Sequence, residues 1–536
     1  MDGLMMDYQL NVPAILRRGE ELFGDSEIVS RLPDKSWHRY TYTDFVRRTK
    51  QLALALRNEL GLHDGDRVGT FAWNHLEHLE TYVGAPVGGF VTHTLNLRLH
   101  PDDLTYIATH GGDRVLIADK TLWPLVEAFK DRVGFEHVIA AGAGPTPDGA
   151  IDFEELLATQ NADDWEYRDI DERAAAGMCY TSGTTGQPKG VVYSHRAIAI
   201  HALTTNSLLG ITCDDVCLPV VPMFHANAWC FPFSSILAGV KHVYPGPHLD
   251  AASLLEDFES EKVTISAGVP TIWMGILQAL DDNPGGWDLS AMRTMTVGGA
   301  APPRAMIEAF EERHGLHIVH GWGMTEMCPI GTLSGAPGQE IGLSKEAAYR
   351  KRAMQGPPIP FVEIRARGSE GLVPWDGASM GELEVRGPSI SSSYYDSPGS
   401  DDRWTGDGWF KTGDIVTIHP DAYVEIQDRS KDLVKSGGEW ISTVALENAL
   451  MGHPAVLEAA VIAVPDEKWS ERPLAVVVFR EGQTADADEL RAFLAPNFAK
   501  WWLPERFEFV DEIPKTAVGK FRKTALREQF AKAGTP

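Results

Sequence analysis

The chain has 536 residues, and 48 Lys and Arg against 75 Asp and Glu leave a formal net charge of −27. Hydrophobic residues at 43% and charged residues at 23% are ordinary globular values, and Gly and Pro are dispersed along the chain, which excludes a disordered or fibrous protein. No Lys/Arg run or basic helix offsets the acidic balance, which argues against nucleic acid as a partner. An anionic ligand therefore needs a locally built site of N–H groups, cations and metal.

The cysteines and the N-terminal sequence indicate the cellular compartment. The cysteines form no CxxC pair, and their odd number and apolar surroundings predict reduced thiols that act as small buried hydrophobic side chains. These are Cys179, Cys213, Cys217, Cys230 and Cys328. The N-terminus carries acids where a signal peptide has cations, and no apolar run approaches the ~20 residues that span a bilayer. We therefore expect a soluble, cytoplasmic protein, and peripheral membrane contact stays open.

The first part of the chain alternates helix and strand signals. A helical period covers about residues 41 to 59, and GMCYT (177–181) is typical of a strand that enters the loop SGTTGQPKG. GVVY (190–193) follows as a second strand, and Ser194 is the predicted N-cap of a helix. Strand-like runs then alternate with helical segments as far as HIVHGWG, the pattern of mostly parallel sheets covered by helices.

From about residue 356 the pattern changes to strands punctuated by Gly and Pro, such as VEIRARG and GELEVRG, which is typical of an antiparallel or barrel-like subdomain. Beyond residue 428 we expect a helix from about Ser442, the strands AAVIAVP and LAVVVFR, and a helix after Asp486 with Glu489 at the capping-box spacing. The sequence thus predicts an α/β chain. Residues 1–428 form a large N-terminal domain of helix-covered, mostly parallel sheets with a barrel-like β subdomain at about 356–428, and residues 429–536 form a small α+β domain.

The segment YTSGTTGQPKG (180–190) packs three glycines, four Ser or Thr residues and one lysine into eleven positions. Glycines allow a ligand to approach the backbone, hydroxyls donate to phosphate oxygens, and lysine supplies charge. The segment is not a Walker A loop, because Pro188 and Gly190 stand where that motif needs Gly and Ser or Thr. A flexible surface turn is the alternative, and the coincidence of phosphate-binding groups favours an anion site.

YTSGTTGQPKG resembles the phosphate-loop signature of the adenylate-forming superfamily, which includes acyl-CoA synthetases, peptide synthetase adenylation domains and luciferases. Five further family motifs follow in order: GGAAPP (298–303), GWGMTE (321–326), FKTGD (410–414), DRSKDLVKSGGEWIS (428–442) and PKTAVGK (514–520). The resemblance covers nearly the whole chain. VPMFHANAW (221–229) and SGGEWIS (436–442) are most similar to bacterial medium- and long-chain fatty-acyl-CoA synthetases.

The resemblance implies an ATP-dependent acyl-CoA synthetase. A carboxylate is a poor electrophile, so it first attacks the α-phosphate of ATP, and pyrophosphate leaves; the CoA thiol then attacks the acyl-AMP, and AMP leaves. Both steps need charge stabilised on phosphate oxygens, so Mg²⁺, lysine and N–H groups should dominate and no nucleophilic Ser or Cys is expected. The expected partners are a carboxylic acid, ATP, Mg²⁺ and CoA.

Two other functions stay open. One is a stand-alone ligase that transfers the acyl group to an amine or a carrier-protein thiol. The other is a regulator or inactive relative, against which the intact motif residues weigh. The sequence does not identify the acid or its chain length, and the resemblance offers a homodimer as one option for the assembly.

The resemblance also implies a nucleotide site. Glu326 and Thr181 would meet Mg²⁺, since that ion prefers oxygen donors, Trp322 would offer a π face to adenine, and Asp414 and Arg429 would contact the ribose. The phosphate loop contributes Thr181, Ser182, Gly183, Thr184, Thr185, Gly186 and Lys189. Other motifs contribute Gly298, Gly299, Ala300, Ala301, His320, Gly321, Gly323, Thr325, Lys431, Lys435 and Lys520.

The same resemblance implies an acyl site. A lone histidine such as His225 in an apolar stretch is commonly a core residue, and the resemblance makes it a gate or pocket residue between nucleotide and acyl chain. Trp440 is either a packing residue at the domain boundary or a gate on the acyl tunnel. The acyl and CoA set is His225, Ala226, Asn227, Trp229, Gly437, Gly438, Glu439 and Trp440.

In family members the small domain is mobile and rotates between the two half-reactions. Lys520 would bridge the carboxylate and the α-phosphate during adenylation and then withdraw. Lys431 matches the hinge, where many relatives have aspartate. The implied catalytic set is Lys520, Lys189, His225, Thr181 and Glu326.

Overall fold

The computed structural model describes residues 1, 3–181, 187–429, 432–436, 439–466, 468–515 and 521–530. Several predicted site residues lie outside these ranges: Ser182, Gly183, Thr184, Thr185, Gly186, Lys431, Gly437, Gly438 and Lys520. The side chain of Glu439 is also outside the description. Roles predicted for these groups stay predictions.

Strands and helices are numbered in chain order. The strands are β1 (Glu27–Arg31), β2 (Trp37–Thr41), β3 (Arg67–Phe71), β4 (Val91–Thr94), β5 (Asp113–Asp119), β6 (His137–Ala141), β7 (Ile151–Asp152), β8 (Ala175–Tyr180), β9 (Gly190–Ser194), β10 (Val216–Pro219), β11 (Lys241–Tyr244), β12 (Ile265–Gly268), β13 (Thr294–Val297), β14 (Ile318–Gly323), β15 (Ile330–Ser334), β16 (Glu363–Gly368), β17 (Gly371–Leu372), β18 (Gly381–Arg386), β19 (Phe410–Ile418), β20 (Val424–Arg429), β21 (Val434–Ser436), β22 (Glu439–Ile441), β23 (Val456–Asp466), β24 (Ser470–Phe479) and β25 (Arg506–Phe509). The helices are α1 (Val12–Leu22), α2 (Tyr42–Asn58), α3 (Leu76–Val87), α4 (Pro101–Gly111), α5 (Trp123–Glu127), α6 (Lys130–Val133), α7 (Phe153–Ala158), α8 (His195–Leu209), α9 (Phe231–Ala238), α10 (Ala251–Ser260), α11 (Pro270–Asp282), α12 (Arg304–His314), α13 (Lys345–Ala353), α14 (Thr443–Met451), α15 (Ala487–Leu494) and α16 (Lys523–Phe530).

Two large sheets form the body of the N-terminal domain. The first has the order β15-β14-β13-β12-β10-β11-β1-β2, and its strands run parallel except at the two outer pairs. The second has the order β7-β6-β5-β3-β4-β8-β9, and its antiparallel pair is β8 with β9. A shared apolar cluster takes residues from both sheets and from α1, α3, α8 and α9. The predicted mostly parallel, helix-covered sheets are confirmed.

The two strands predicted around the phosphate-loop motif are β8 and β9, which pair through Cys179 and Val191. Ser194 caps α8 as predicted, because its side chain accepts the N–H of Ala197 and so satisfies a free donor in the first turn. The motif therefore connects the two strands of this hairpin, and α8 follows directly after the second strand.

Residues 363–429 carry an antiparallel sheet of order β17-β16-β18-β19-β20, as the change of pattern near residue 356 predicted. Its register places Asp414 of β19 directly opposite Arg429 of β20. This pairing brings two sequence motifs into contact before any ligand is considered.

The small C-terminal domain is α+β. Its sheet has the order β22-β21-β24-β23, with β25 parallel to β24, and α14 packs on β23. Helices begin where predicted, directly after Ser442 and Asp486, and both side chains accept a backbone N–H three residues on, from Ala445 and Glu489. The chain leaves the antiparallel sheet of the β subdomain at Arg429 and enters the sheet of the small domain at Val434. The exact domain boundary stays a prediction.

The prediction for the cysteines is correct for four of them and wrong for Cys213, which is exposed. Cys213 follows the end of α8 in a polar turn, so no apolar layer covers it. Burial raises the pKa of the Cys217 thiol to about 12, and burial also raises the pKa of Cys179, Cys230 and Cys328. These buried thiols are poor nucleophiles. Within the described ranges, no helix is both long and apolar enough to cross a membrane.

Candidate active site

A cavity of about 1350 Å³ lies between the large and small domains. Its large-domain wall includes Trp322, Asp414 and Arg429, and α14 and β23 form much of the opposite wall. The volume exceeds the roughly 300–1,000 Å³ of typical small-molecule pockets. The cavity can therefore hold a nucleotide and still leave room for a second substrate.

The base of the phosphate-loop motif is held closed by its own backbone. The N–H of Thr181 donates to the carbonyl of Lys189 at 2.9 Å, and the N–H of Lys189 lies 3.4 Å from Thr181 Oγ1. A Cβ on Gly190 would lie 3.0 Å from the ring of Tyr180, so a larger residue there would press on that ring. The two ends are thus fixed, and the loop between them, 182–186, is outside the described residues.

Tyr394 contacts the side chains of both Lys189 and Glu326. The Lys189 ammonium lies 4.8 Å from the centroid of the Tyr394 ring, and the Tyr394 hydroxyl donates to Glu326 Oε1. Burial and the charge of Glu326 raise the pKa of Tyr394, so the hydroxyl stays a donor. No sequence pattern indicates Tyr394, since its separation from both partners follows no helix or strand period.

Glu326 is itself buried, with 5% exposure. The hydroxyl of Tyr193 on β9 donates to the Thr325 carbonyl at 2.7 Å, which ties the acidic motif to the phosphate-loop hairpin. Among the described residues no cluster of three or more His, Cys, Asp or Glu side chains could hold a metal. A single carboxylate of this kind fits Mg²⁺, which takes most of its ligands from phosphates and water.

Asp414 is fixed from two sides. Trp322 Nε1 donates to Asp414 Oδ2 at 3.0 Å, and Arg429 Nε lies 2.6 Å from Asp414 Oδ1. Asp414 is 1% exposed, whereas the Arg429 side chain is 41% exposed. A carboxylate held in this way presents its remaining lone pairs in fixed directions, as the two vicinal hydroxyls of a ribose require.

Gly298 to Ala301 follow β13 and form a wall without large side chains. A Cβ on Gly298 would lie 2.9 Å from the ring of Trp229 and 3.0 Å from the carbonyl of Gly321, and Gly299 has φ +81°. His320, also in the wall, is buried; its Nδ1 lies 3.2 Å from the Arg352 carbonyl, and burial lowers its pKa to about 4. His320 is therefore neutral at pH 7.

The segment Ala226–Cys230 has an unusual backbone. All five residues have left-handed φ values between 43° and 66°, although none is glycine. Left-handed turns of L-residues are sterically costly, and such strain concentrates at functional sites. His225 immediately precedes this turn and is half-buried, while Trp229 is 6% exposed against Gly298. The sequence identified these residues but not their conformation.

Asn74 anchors the chain that leads into this turn. Its Nδ2 donates to the carbonyls of Pro219 and Val221 at 3.0 and 2.9 Å, and its Oδ1 accepts the N–H of Met223 at 2.7 Å. The Tyr82 hydroxyl donates to the Met223 carbonyl at 2.6 Å. Asn74 lies just beyond β3 of the other large sheet and 145 residues from Pro219, so no local sequence pattern indicates this contact.

Lys435 and Trp440 lie away from the cavity. They face each other across the β21–β22 pair, where Lys435 is exposed and Trp440 half-buried. Neither residue is part of the cavity wall, and the described aromatic residues include no ring contact between Trp440 and Trp229. The nucleotide role of Lys435 and the gate role of Trp440 stay predictions.

Lys520 is outside the described residues, but both flanks of its loop are described. Lys515 and Phe521 line the same cavity as Trp322 and Asp414. Lys515 also pairs with Glu458 of β23 at 2.5 Å. The PKTAVGK loop of the small domain therefore starts and ends at the cavity that contains the large-domain motifs.

The model of the AMP-binding enzyme family matches residues 17–395, and that of the AMP-binding enzyme C-terminal domain matches 445–520. The chain is 47% identical to a long-chain-fatty-acid–CoA ligase of Thermus thermophilus over 98% of this chain and 96% of that one. It is 41% identical to a 3-methylmercaptopropionyl-CoA ligase of Ruegeria lacuscaerulensis over 100% of both. A crystal structure of an anthranilate CoA ligase with anthranoyl-AMP matches with a TM-score of 0.88 and 26% identity over 99% of both chains. The chain belongs to the AMP-binding enzyme family, and the predicted adenylate-forming fold is confirmed.

Replacing Trp322 by Phe should weaken AMP binding by about tenfold. A smaller aromatic ring remains but the donor to Asp414 is lost, and a hydrogen bond to a charged group contributes about 1.5–3 kcal/mol, part of which water restores. Isothermal titration calorimetry with AMP measures the effect. Trp409→Phe is the control, because Trp409 packs between Arg365 and Arg386 on the same subdomain. An unchanged AMP affinity in Trp322→Phe would show that the indole N–H does not orient Asp414.

Proposed function

We propose that this enzyme activates a fatty acid as acyl-AMP and transfers the acyl group to CoA. The observation that carries the proposal is the shared cavity, in which the two flanks of the PKTAVGK loop meet Trp322, Asp414 and Arg429. The names of the relatives support a CoA ligase, and the long-chain ligase of Thermus thermophilus supports a fatty acid. A cytoplasmic location and a homodimer remain part of the proposal.

In the first half-reaction the acid's carboxylate attacks the α-phosphate of ATP, and pyrophosphate leaves. Thr181, the adjoining loop and Lys189 would bind the departing phosphates, and Asp414 with Arg429 would fix the ribose. Glu326 would hold Mg²⁺, which screens the phosphate charges when bound. Lys520 would neutralise charge between the carboxylate and the α-phosphate. No protein nucleophile is needed, in agreement with four buried thiols of raised pKa.

In the second half-reaction the CoA thiol attacks the acyl carbon and AMP leaves. We propose that the small domain rotates about Lys431, which moves Lys520 out and brings the segment 436–442 towards the acyl group. His225, Ala226, Asn227 and Trp229 would then face the acyl chain, and Trp440 would gate it. Rotation about so short a segment needs only one or two residues that change φ and ψ.

Measuring which class of acid the enzyme activates tests this proposal directly. ATP–pyrophosphate exchange and CoA thioester formation should be measured with straight-chain acids from acetate to palmitate and with 3-methylmercaptopropionate. We expect the highest kcat/KM for a medium or long chain, with each added methylene contributing up to about 1–3 kcal/mol in an apolar pocket. If kcat/KM is highest with 3-methylmercaptopropionate, the preferred substrate is this thioether acid and not a fatty acid. Exchange without thioester formation would refute CoA as the acceptor.

Replacing Glu326 by Gln should lower activity and raise the Mg²⁺ concentration needed for half-maximal rate by tenfold or more. The substitution keeps the volume and removes the charge that retains the ion. A Mg²⁺ titration of pyrophosphate exchange measures the midpoint. Glu384→Gln is the control, since Glu384 is a buried carboxylate that pairs with Arg365 and Arg367 away from the cavity. Equal midpoints in Glu326→Gln and wild type would exclude Glu326 as a ligand.

Replacing Lys520 by Ala should slow acyl-AMP formation by orders of magnitude, because the charge between carboxylate and phosphate is no longer neutralised. Conversion of supplied acyl-AMP and CoA to thioester should stay within several-fold of wild type. Single-turnover assays measure each half-reaction. The exposed residue Lys500 provides the control variant Lys500→Ala. Equal losses in both half-reactions would rule out this role for Lys520.

A further inference from the structure

A chain of hydrogen bonds connects the β subdomain to the small domain. Asp428, near the end of β20, is 1% exposed, and its Oδ2 accepts the N–H of Thr443 at 3.0 Å and the Thr443 hydroxyl at 2.5 Å. Thr443 is the first residue of α14, which belongs to the small domain. These two bonds therefore join β20 of the β subdomain to a helix of the small domain.

The same hydroxyl receives a bond from the last helix. Lys523, the first residue of α16, donates from Nζ to Thr443 Oγ1 at 2.5 Å and lies 2.6 Å from Glu447 Oε1 of α14. Lysine can only donate and a carboxylate can only accept, so the hydroxyl must accept from Lys523 and donate to Asp428. Burial lowers and the charges of Glu447 and Asp428 raise the pKa of Lys523, and the net shift is upward, so this lysine stays charged.

Lys523 also lies three residues after Lys520, and both Lys523 and Asp428 line the inter-domain cavity. We propose that Asp428, Thr443 and Lys523 form a latch that holds the small domain in the orientation in which the PKTAVGK loop faces the nucleotide. They are positioning residues that act through Lys520, and the inference rests on the proposed function.

The latch can open without leaving a buried charge alone. The chain passes from one sheet to the other between Arg429 and Val434, so rotation of the small domain about this segment separates Asp428 from Thr443. Lys523 keeps Glu447, because both belong to the small domain, and Glu447 Oε1 also accepts the N–H of Val461 at 2.7 Å. Asp428 keeps the N–H of Arg429, which its Oδ1 accepts at 2.7 Å. Breaking a buried ion pair is costly chiefly when one charge loses its only partner, and each of these three charges keeps one.

The first experiment compares half-reactions in Asp428→Asn and Thr443→Val, with octanoate and ATP for adenylation and synthetic octanoyl-AMP with CoA for thioester formation. We expect adenylation to fall tenfold or more, while thioester formation is unchanged or faster. Thr443→Ser should restore adenylation, because serine keeps the hydroxyl. The matched control is Asp215→Asn, since buried Asp215 also accepts a backbone N–H and a threonine hydroxyl, from Thr212 and Thr264, but inside the large domain.

A second experiment measures domain orientation without activity. Dyes on the exposed Cys213 of the large domain and on Ala495→Cys, an exposed position in the small domain, report the distance between domains by energy transfer. Asp428→Asn and Thr443→Val should shift or broaden the distance distribution, and Asp215→Asn should not.

These measurements separate the latch from the proposed function. If both latch variants keep the wild-type distribution, or lose the two half-reactions equally, the latch is refuted. If the distribution shifts but wild-type enzyme adenylates none of the tested acids, the latch stands and the fatty-acid proposal fails. Because Thr443→Val removes one hydroxyl and no charge, it provides the test even if Asp428→Asn does not fold.

Discussion

A chain with a formal net charge of −27 can bind a polyanionic nucleotide only where the local potential is reversed. Three carboxylates at or near the cavity are held by a donor or a cation. Asp414 accepts a hydrogen bond from Trp322 and pairs with Arg429, Glu326 accepts one from Tyr394, and Asp428 accepts one from Thr443. Arg429 offsets the charge of Asp414, and the neutral donors fix the directions in which the carboxylates accept bonds. The site thus depends on how its carboxylates are held as well as on its lysines.

The fold explains why these groups meet. Parallel strands end at the same edge of a sheet, and β10, β12, β13 and β14 deliver Pro219, Gly268, Gly298 and Gly323 to that edge. Ligands of α/β sheets bind outside such carboxyl ends. The second sheet reaches the same region through Asn74, which lies just beyond β3. The Asn74 side chain donates to carbonyls at and after the end of β10, and its backbone carbonyl accepts the N–H of Gly246 at 3.0 Å. One asparagine therefore joins the active edges of the two sheets.

Much of this could be predicted from sequence because the signals are local. The hairpin around the phosphate-loop motif, the N-caps Ser194 and Ser442, and the change to antiparallel strands all follow from short patterns. Tyr394, Asn74 and Lys523 could not be found in this way, because their partners lie at least 68 residues away and follow no period. Cys213 was predicted wrongly, because Thr212, Asp214 and Asp215 place it in a polar turn and not in an apolar stretch.

The left-handed turn shows how distant anchoring supports local strain. An isolated peptide would not hold five consecutive L-residues at positive φ, since each costs roughly 1–2 kcal/mol in a left-handed helix. Asn74, Tyr82 and Thr94 bond the backbone at Met223 and Phe224, just before the turn, and so restrict the chain's entry into it. At its far end the turn continues into α9. Trp229 consequently packs against Gly298, so the proposed adenine wall and the proposed acyl wall share one contact. If these roles hold, an acid that displaces Trp229 also disturbs the proposed nucleotide wall, and acid length and nucleotide binding are interdependent.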